Sequence, residues 1–89
     1  VKISIIIPSY NAGHLIEDAL HSVMTQTYKD WEIIVMDNES KDDTSEKVKS
    51  IAAEDSRVRY YCESDKGIYD AMNKGIEKAQ GELLYFMGT

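Results

Sequence analysis

The sequence predicts an α/β fold, a three-layer parallel sheet with the element order β-α-β-α-β-α-β. Three observations point there. Four short runs rich in β-branched or aromatic residues are separated by three stretches whose apolar residues recur at helical spacing. No hairpin turn signal joins one run to the next, so each return to the sheet crosses over through a helix, right-handed by rule. The first run is apolar almost without a break, as a strand covered on both faces is.

Ile3 to Ile7 forms the first predicted strand, ending at Pro8, which lacks the N–H that a central ladder uses. Leu15, Ile16, Ala19, Leu20, Val23 and Met24 follow Asn11-Ala12-Gly13 and predict a helix from about His14 to Gln26. Glu32 to Met36 is the second strand, closed by the polar cluster Asp37 to Asp43. Thr44 to Glu54 reads as a helix with a thin apolar face, Val48, Ile51 and Ala52 with Ala53 at its margin, and Asp42 or Asp43 as its N-cap. Arg57 to Cys62 is a third strand of alternating character, as expected near an edge.

The third helix is the best patterned. Ile68, Ala71, Met72, Gly75, Ile76 and Ala79 make one stripe, and Gly81 is expected to act as a left-handed stop. Ala71, Gly75 and Ala79 are four apart and form a small-residue groove that lets this helix lie close to a sheet. Leu83 to Met87 is the fourth strand. Its composition is that of an interior strand, so a neighbour from sequence beyond this stretch is expected, and self-association is the expected result if the edge stays bare.

The 89 residues allow one domain, and burial of only a little over ~60% of the unfolded surface makes a chain this short dependent on a compact core. Apolar residues are 43% and charged residues 29%, the balance of a folding chain. With 10 Lys and Arg against 16 Asp and Glu the formal charge is −6, and no basic cluster is present, which argues against a nucleic-acid partner. No run approaches the ~20 apolar residues of a membrane span. The start Val1-Lys2-Ile3-Ser4 does not read as a signal peptide, so a cytoplasmic location is expected, peripheral attachment at the inner face of the membrane remaining compatible with it. The single Cys62 has no disulfide partner and reads as a buried, inert thiol.

Ligands of open parallel sheets bind outside the carboxyl ends of the strands. Here that lip comprises Pro8 to Gly13, Asp37 to Asp43 and Gly88-Thr89, with the loop Glu63 to Gly67 within reach. Pro-Ser-Tyr-Asn-Ala-Gly offers neither the three glycines of a dinucleotide turn nor the Gly-Lys-Ser/Thr of a P-loop. No acid follows the first strand before Glu17, which disfavours a phospho-accepting receiver domain. A rigid Pro, a hydroxyl, an aromatic ring and an amide facing an acidic cluster suit a nucleoside, with a ring to pack against and short polar groups for base and ribose.

Four blocks in order then resemble a known family. Ser4-Ile5-Ile6-Ile7-Pro8-Ser9-Tyr10-Asn11, Ser22-Val23 with Gln26-Thr27-Tyr28, Glu32 through Ser40, and Gly67-Ile68-Tyr69-Asp70-Ala71-Met72-Asn73-Lys74-Gly75-Ile76 followed by Ala79, Gly81 and Glu82 are similar to the family 2 glycosyltransferases of GT-A fold. The resemblance spans essentially the whole chain. It implies a Rossmann-like sheet of GT-A type, a nucleotide-sugar donor, usually a UDP-sugar, a saccharide or lipid-linked acceptor, a divalent metal, Mg²⁺ or Mn²⁺, and inversion at the transferred sugar carbon. Pro8, Ser9 and Tyr10 would line the nucleoside pocket, and Asp37 with Asn38 would contact base or ribose. The family often has two acids where this chain has Asp37-Asn38, and its Ser-Thr-Asp-Gly-Thr segment stands here as Ser40-Lys41-Asp42-Asp43-Thr44.

The same resemblance implies an Asp-x-Asp-type metal motif beginning where this sequence stops, and a catalytic base later still. Residues 1–89 are accordingly expected to be the incomplete N-terminal, nucleotide-sugar-binding portion of a larger domain, inactive alone, with metal ligands beyond residue 89. A carboxylate-lined rim on a chain of charge −6 would repel a diphosphate without a cation. Lys66 and Lys74 are the nearby cations, neither obliged to face inward.

Plainer readings stand beside these. Asp37 could cap a turn, and Asp42 and Asp43 read as helix caps rather than ligands. Asp70 and Lys74 are spaced as a surface i,i+4 pair, yet with Asp65, Tyr69 and Asn73 they could also face the donor. His14 and His21 are ~10 Å apart along a helix, too far to share a metal ion, and read as solvated. Tyr60, Tyr61, Tyr85 and Phe86 read as packing, and Trp31 as cover for the sheet's amino end. The alternative function is a non-catalytic α/β scaffold or nucleotide-binding module.

Overall fold

The computed structural model describes residues 1–88. The elements are β1 (Ile3–Ser9), α1 (Ile16–Met24), β2 (Trp31–Asp37), α2 (Thr44–Glu54), β3 (Val58–Cys62), α3 (Ile68–Lys78) and β4 (Leu83–Phe86). The sheet is parallel, in the order β3-β2-β1-β4. Helices cover both faces. Ile5, Ile7, Ile33 and Val35 point to one side, against Ile16, Leu20 and Val23 of α1 and Val48 and Ile51 of α2. Ile6, Ile34 and Met36, one residue out of phase, point to the other side, against Ala71 of α3. Strand β2 is buried along its whole length.

The small-residue groove of α3 forms as expected. A Cβ added at Gly75 would lie 2.4 Å from Cγ2 of Ile6, so the helix approaches β1 as closely as glycine alone permits. The rest of the stripe divides. Ala71 and Gly75 are buried against the sheet, whereas Ile68 and Ile76 are exposed. Ile68 borders the hollow beside Phe86 and Met87 at the end of β4.

Several boundaries and roles differ from the sequence reading. Strand β1 continues through Pro8 to Ser9, with Pro8 opposite Met36. Alternate residues explain this. The carbonyl of Ser9 accepts from Asn38 on the β2 side, while the carbonyls of Lys2 and Ile6 accept from Glu82 and Met87 on the β4 side. Pro8 shares the phase of Lys2 and Ile6, and β4 pairs no further than Ile6 with Phe86, so the missing N–H falls beyond the end of that pairing. Helix α1 is shorter than predicted, with Leu15 at its N-cap and Thr25 at its C-cap.

Gly81 is not a left-handed stop. Helix α3 ends at Lys78, its C-cap Ala79 is extended, and the only glycine with positive φ among the described residues is Gly67, at +130°. Gly81 serves a close approach instead. A Cβ there would come within 2.6 Å of the Ser4 hydroxyl and 2.7 Å of the Lys2 carbonyl. Cys62 is exposed, because it ends the edge strand β3. Tyr85 and Phe86 are exposed with the rest of β4, since that strand too forms an edge. His14 and His21 are solvated, as expected.

The amino end of the sheet is closed by a buried polar network. Glu32, 3% exposed, accepts from the Ser4 hydroxyl at 2.6 Å, the Gln80 backbone N–H at 2.6 Å and the Arg59 guanidinium at 2.5 Å. Burial works to raise the Glu32 pKa, but these bonds together outweigh it and hold the carboxyl below its ordinary value. Trp31 lies at the same end, 3% exposed, with the Arg57 guanidinium carbon 3.8 Å from its ring centroid.

Candidate functional site

The carboxyl ends of β1 and β2 open onto a cavity of about 280 Å³ walled by Pro8, Ser9, Tyr10, Asn38, Asp65, Gly67, Ile68 and Ala71. Five of the eleven residues singled out from the sequence are therefore brought together. The other three walls come from the start of α3: Gly67 closes the loop expected within reach of the lip, whereas Ile68 and Ala71 were read only as part of an apolar stripe. A signal for them existed: a glycine directly before the first residue of a helical stripe. An adjoining apolar hollow of about 250 Å³ is bordered by Pro8, Ile68, Met72, Phe86, Met87 and Gly88. It lies between the ends of β1 and β4, where the strand order reverses. Thr89, expected on this lip, lies outside the described residues.

Each wall has a local cause. Tyr10 follows the last residue of β1 with its ring 57% exposed, an open aromatic face at the cavity. Ser9 is 5% exposed, and its hydroxyl has no hydrogen-bond partner among the described residues. Gly67 takes φ +130° and ψ 179°, a region open to glycine, and so turns the loop after β3 into the N-terminus of α3. Its N–H donates to Oδ1 of Asp65 at 3.0 Å, and the Asp65 N–H donates to Oδ1 of Asn38 at 3.0 Å.

The remaining sequence candidates sit elsewhere. Asp37 is 1% exposed and does not wall the cavity. Its Oδ1 accepts from the Ser40 hydroxyl and its Oδ2 from the Tyr60 hydroxyl, so its carboxylate braces the loop after β2. Burial, followed by the neighbouring carboxylate, pushes the Tyr60 phenol above its ordinary value of 10.0. Asn11, at φ 47°, is a strut: its N–H donates to the Ser40 hydroxyl at 2.8 Å and its Oδ1 accepts from the Lys41 N–H at 2.7 Å. These bonds stitch the first loop to the second.

Asp42 supports the same join as a cap. It accepts from the Thr44 N–H at 3.0 Å and hydroxyl at 2.5 Å, and from the Gly13 N–H at 3.1 Å. The Thr44 hydroxyl contributes most to holding its carboxyl below the ordinary value. Asp43 makes no side-chain capping bond; its carboxylate lies 3.5 Å from the Lys47 ammonium. Asp70 accepts from the Lys66 N–H at 2.9 Å and lies 3.5 Å from the Lys74 ammonium, and the Lys66 bond is the main cause of its lowered pKa. That arrangement resembles the backward half of a capping box at the start of α3. The Lys74 ammonium also donates to the Ser64 carbonyl. Tyr69, 79% exposed, Asn73 and Lys66 are exposed and do not wall the cavity.

Among the described residues no three His, Cys, Asp or Glu side chains converge as ligands for a metal ion. The donor set on the page does not complete a cation site. No helix among them is long and apolar enough to cross a membrane.

A family model described as glycosyl transferase family 2 matches residues 4–88. One curated relative, a GalNAc(5)-diNAcBac-PP-undecaprenol β-1,3-glucosyltransferase of Campylobacter jejuni, is 36% identical over 97% of this chain and 28% of its own length. Another, a UDP-Glc:α-D-GlcNAc-diphosphoundecaprenol β-1,3-glucosyltransferase of Escherichia coli, is 41% identical over 98% of this chain and 34% of its own length. The chain thus spans about a third or less of these relatives. Among solved structures, S. aureus TarS in complex with UDP-GlcNAc superposes with a TM-score of 0.90 at 25% identity, over 99% of this chain and 26% of that one. A Pyrobaculum calidifontis mannosyltransferase in complex with GDP-Man and Mn²⁺ gives 0.84 at 29%, over 92% and 25%.

Proposed function

The chain belongs to glycosyl transferase family 2, and from that premise we propose that residues 1–88 form the donor-nucleotide half of a glycosyltransferase site. The observation that carries this reading is the cavity itself, where the loops after β1, β2 and β3 meet at one lip. The reaction is transfer of a sugar from a nucleotide-sugar, a UDP-sugar first, to a saccharide or lipid-linked acceptor, with inversion at the sugar carbon. Relatives named for undecaprenol-linked acceptors support a lipid-linked one, and with it a cytoplasmic position, peripheral at the inner membrane face.

The chain's own residues do the following. The Tyr10 ring stacks on the base, Pro8 holds the strand end rigid beside it, and the buried Ser9 hydroxyl gains a partner in the nucleoside. Asn38 and Asp65 supply hydrogen bonds to the base edge. The N-terminus of α3 opens on the cavity through Gly67 and Ile68 and offers the positive end of a helix dipole to the diphosphate, with Lys66 at the rim. Mg²⁺ or Mn²⁺ dependence belongs to the reading through the family, and the ligands would come from sequence beyond residue 89; no step rests on the ion here. Residues 1–89 alone are accordingly inactive.

Calorimetry with UDP on folded protein tests the reading. Saturable heat, lost on Tyr10→Ala, is expected. Absence of heat from a chain with intact circular dichroism would favour the non-catalytic scaffold instead.

A further inference from the structure

We infer that Asp65, rather than either residue at the end of β2, is the acceptor for the ring N–H of the donor base, with Asn38 donating to the carbonyl beside it. The inference rests on the nucleotide-binding reading above and assigns the roles within it. Three amide or carboxylate side chains at or beside the cavity could accept a hydrogen bond from a uracil N3–H, and the structure removes two of them.

Asp37 is removed by commitment. It is 1% exposed, and Ser40 and Tyr60 occupy its two oxygens. Turning it toward a ligand would strand the half-buried Tyr60 hydroxyl. Asn38 is removed by orientation. The Asp65 backbone N–H, 3.0 Å away, can face only an acceptor, so the amide oxygen of Asn38 is turned to the loop and its NH₂ is the group left without a partner among the described residues. Asn38 is then a donor at this site.

Asp65 remains. It walls the cavity, its Oδ1 accepts from the Gly67 N–H at 3.0 Å, and its Oδ2 has no partner among the described residues. A carboxylate can only accept, and the hydrogen bond to Asn38 holds it beside an amide that can donate. Uracil presents a ring N–H flanked by carbonyls, the complement of that pair. Sequence position 38 carries an amide, and the acceptor has moved across the cavity to the loop after β3.

The probe is uridine diphosphate against its 3-methyl analogue, which keeps the ring, ribose and diphosphate but cannot donate from N3. The protein should bind the methylated compound about tenfold or more weakly, the usual worth of a hydrogen bond to a charged group. Asp65→Asn keeps an Oδ1 for the Gly67 N–H; it should weaken UDP to a similar extent and erase the difference between the two ligands. Equal affinity of the unsubstituted protein for both, or a difference that persists in Asp65→Asn, overturns the inference while leaving the nucleotide site in place. No binding of either ligand to the folded, unsubstituted protein overturns the nucleotide reading and this one with it.

Discussion

The Tyr60 hydroxyl donates a hydrogen bond to Oδ2 of Asp37 and so ties the edge strand β3 to the last residue of β2. With Ser40 on the other oxygen, the bond turns an acid at the ligand-binding end of the sheet into a structural brace. The brace sits directly before Asn38, the wall that the second loop gives to the cavity.

Tyr60→Phe should therefore lower stability by about 1–2 kcal/mol, since it leaves a buried carboxylate short of one partner. The phenol is raised above its ordinary value in the fold, so its contribution is fully present below pH 10 and is lost as pH rises through the folded value. Urea unfolding from pH 8 upward should show an alkaline decline in the parent that is flatter in the variant. The same slope in both would refute the assignment.

Gly75→Ala sets a better helix former against a collision with Ile6. The added Cβ, 2.4 Å from Cγ2, meets a fully buried side chain that has no space to retreat. Overpacking of about 1–3 kcal/mol should exceed the ~1 kcal/mol gain in propensity, and the thermal midpoint should fall. A rise would mean that α3 can ride off the sheet at no cost.

Gly67→Ala meets no neighbour, since nothing lies within 4 Å of an added Cβ. Its penalty is the backbone at φ +130°, about 1–3 kcal/mol. Because the residue both walls the cavity and starts α3, UDP affinity should fall along with stability. A D-alanine at the same position, which favours positive φ, should restore both.

Glu32→Gln tests the network at the amino end. The Glu32 carboxyl is held below its ordinary value in the fold, so its contribution is present above pH ~4.5 and is lost as pH falls through the folded value. The variant should lose about 1.5–3 kcal/mol at neutral pH, leaving Arg59 without its charged partner, and should show a shallower loss toward pH 3. Urea midpoints across that range decide it.

Strand β4 is exposed along its length, from Leu83 at 56% to Phe86 at 37%. Residues 1–89 by themselves should self-associate through this edge, and Tyr85→Lys should suppress it in sedimentation runs. Monomeric behaviour of the unsubstituted chain at high concentration would count against the edge as an adhesive surface.

What the sequence showed and what it hid divide along one line. Order and type of every element followed from local periodicity, and the groove of α3 was visible as three small residues four apart. Contacts between distant residues were not. Gly81 reads as a helix stop until Ser4, 77 positions earlier, is found against it. Asp37 reads as either a ligand or a turn cap until Tyr60 arrives from β3. Cys62 looks buried until β3 is known to be an edge. At the site, the residues directly after β1 and β2 were legible because strand ends in a parallel sheet share a lip. The loop ending at Gly67 was legible as within reach, but Ile68 and Ala71 were not, because which turn of α3 reaches that lip depends on how closely the helix seats.

Pro8 gives the strand arrangement one more meaning. A guest strand extending β4 past Phe86 would meet an imino nitrogen with nothing to offer, so zippering along β1 halts there. Ladder pairing along the β4 side of β1 therefore ends below the hollow bordered by Pro8, Met87 and Gly88.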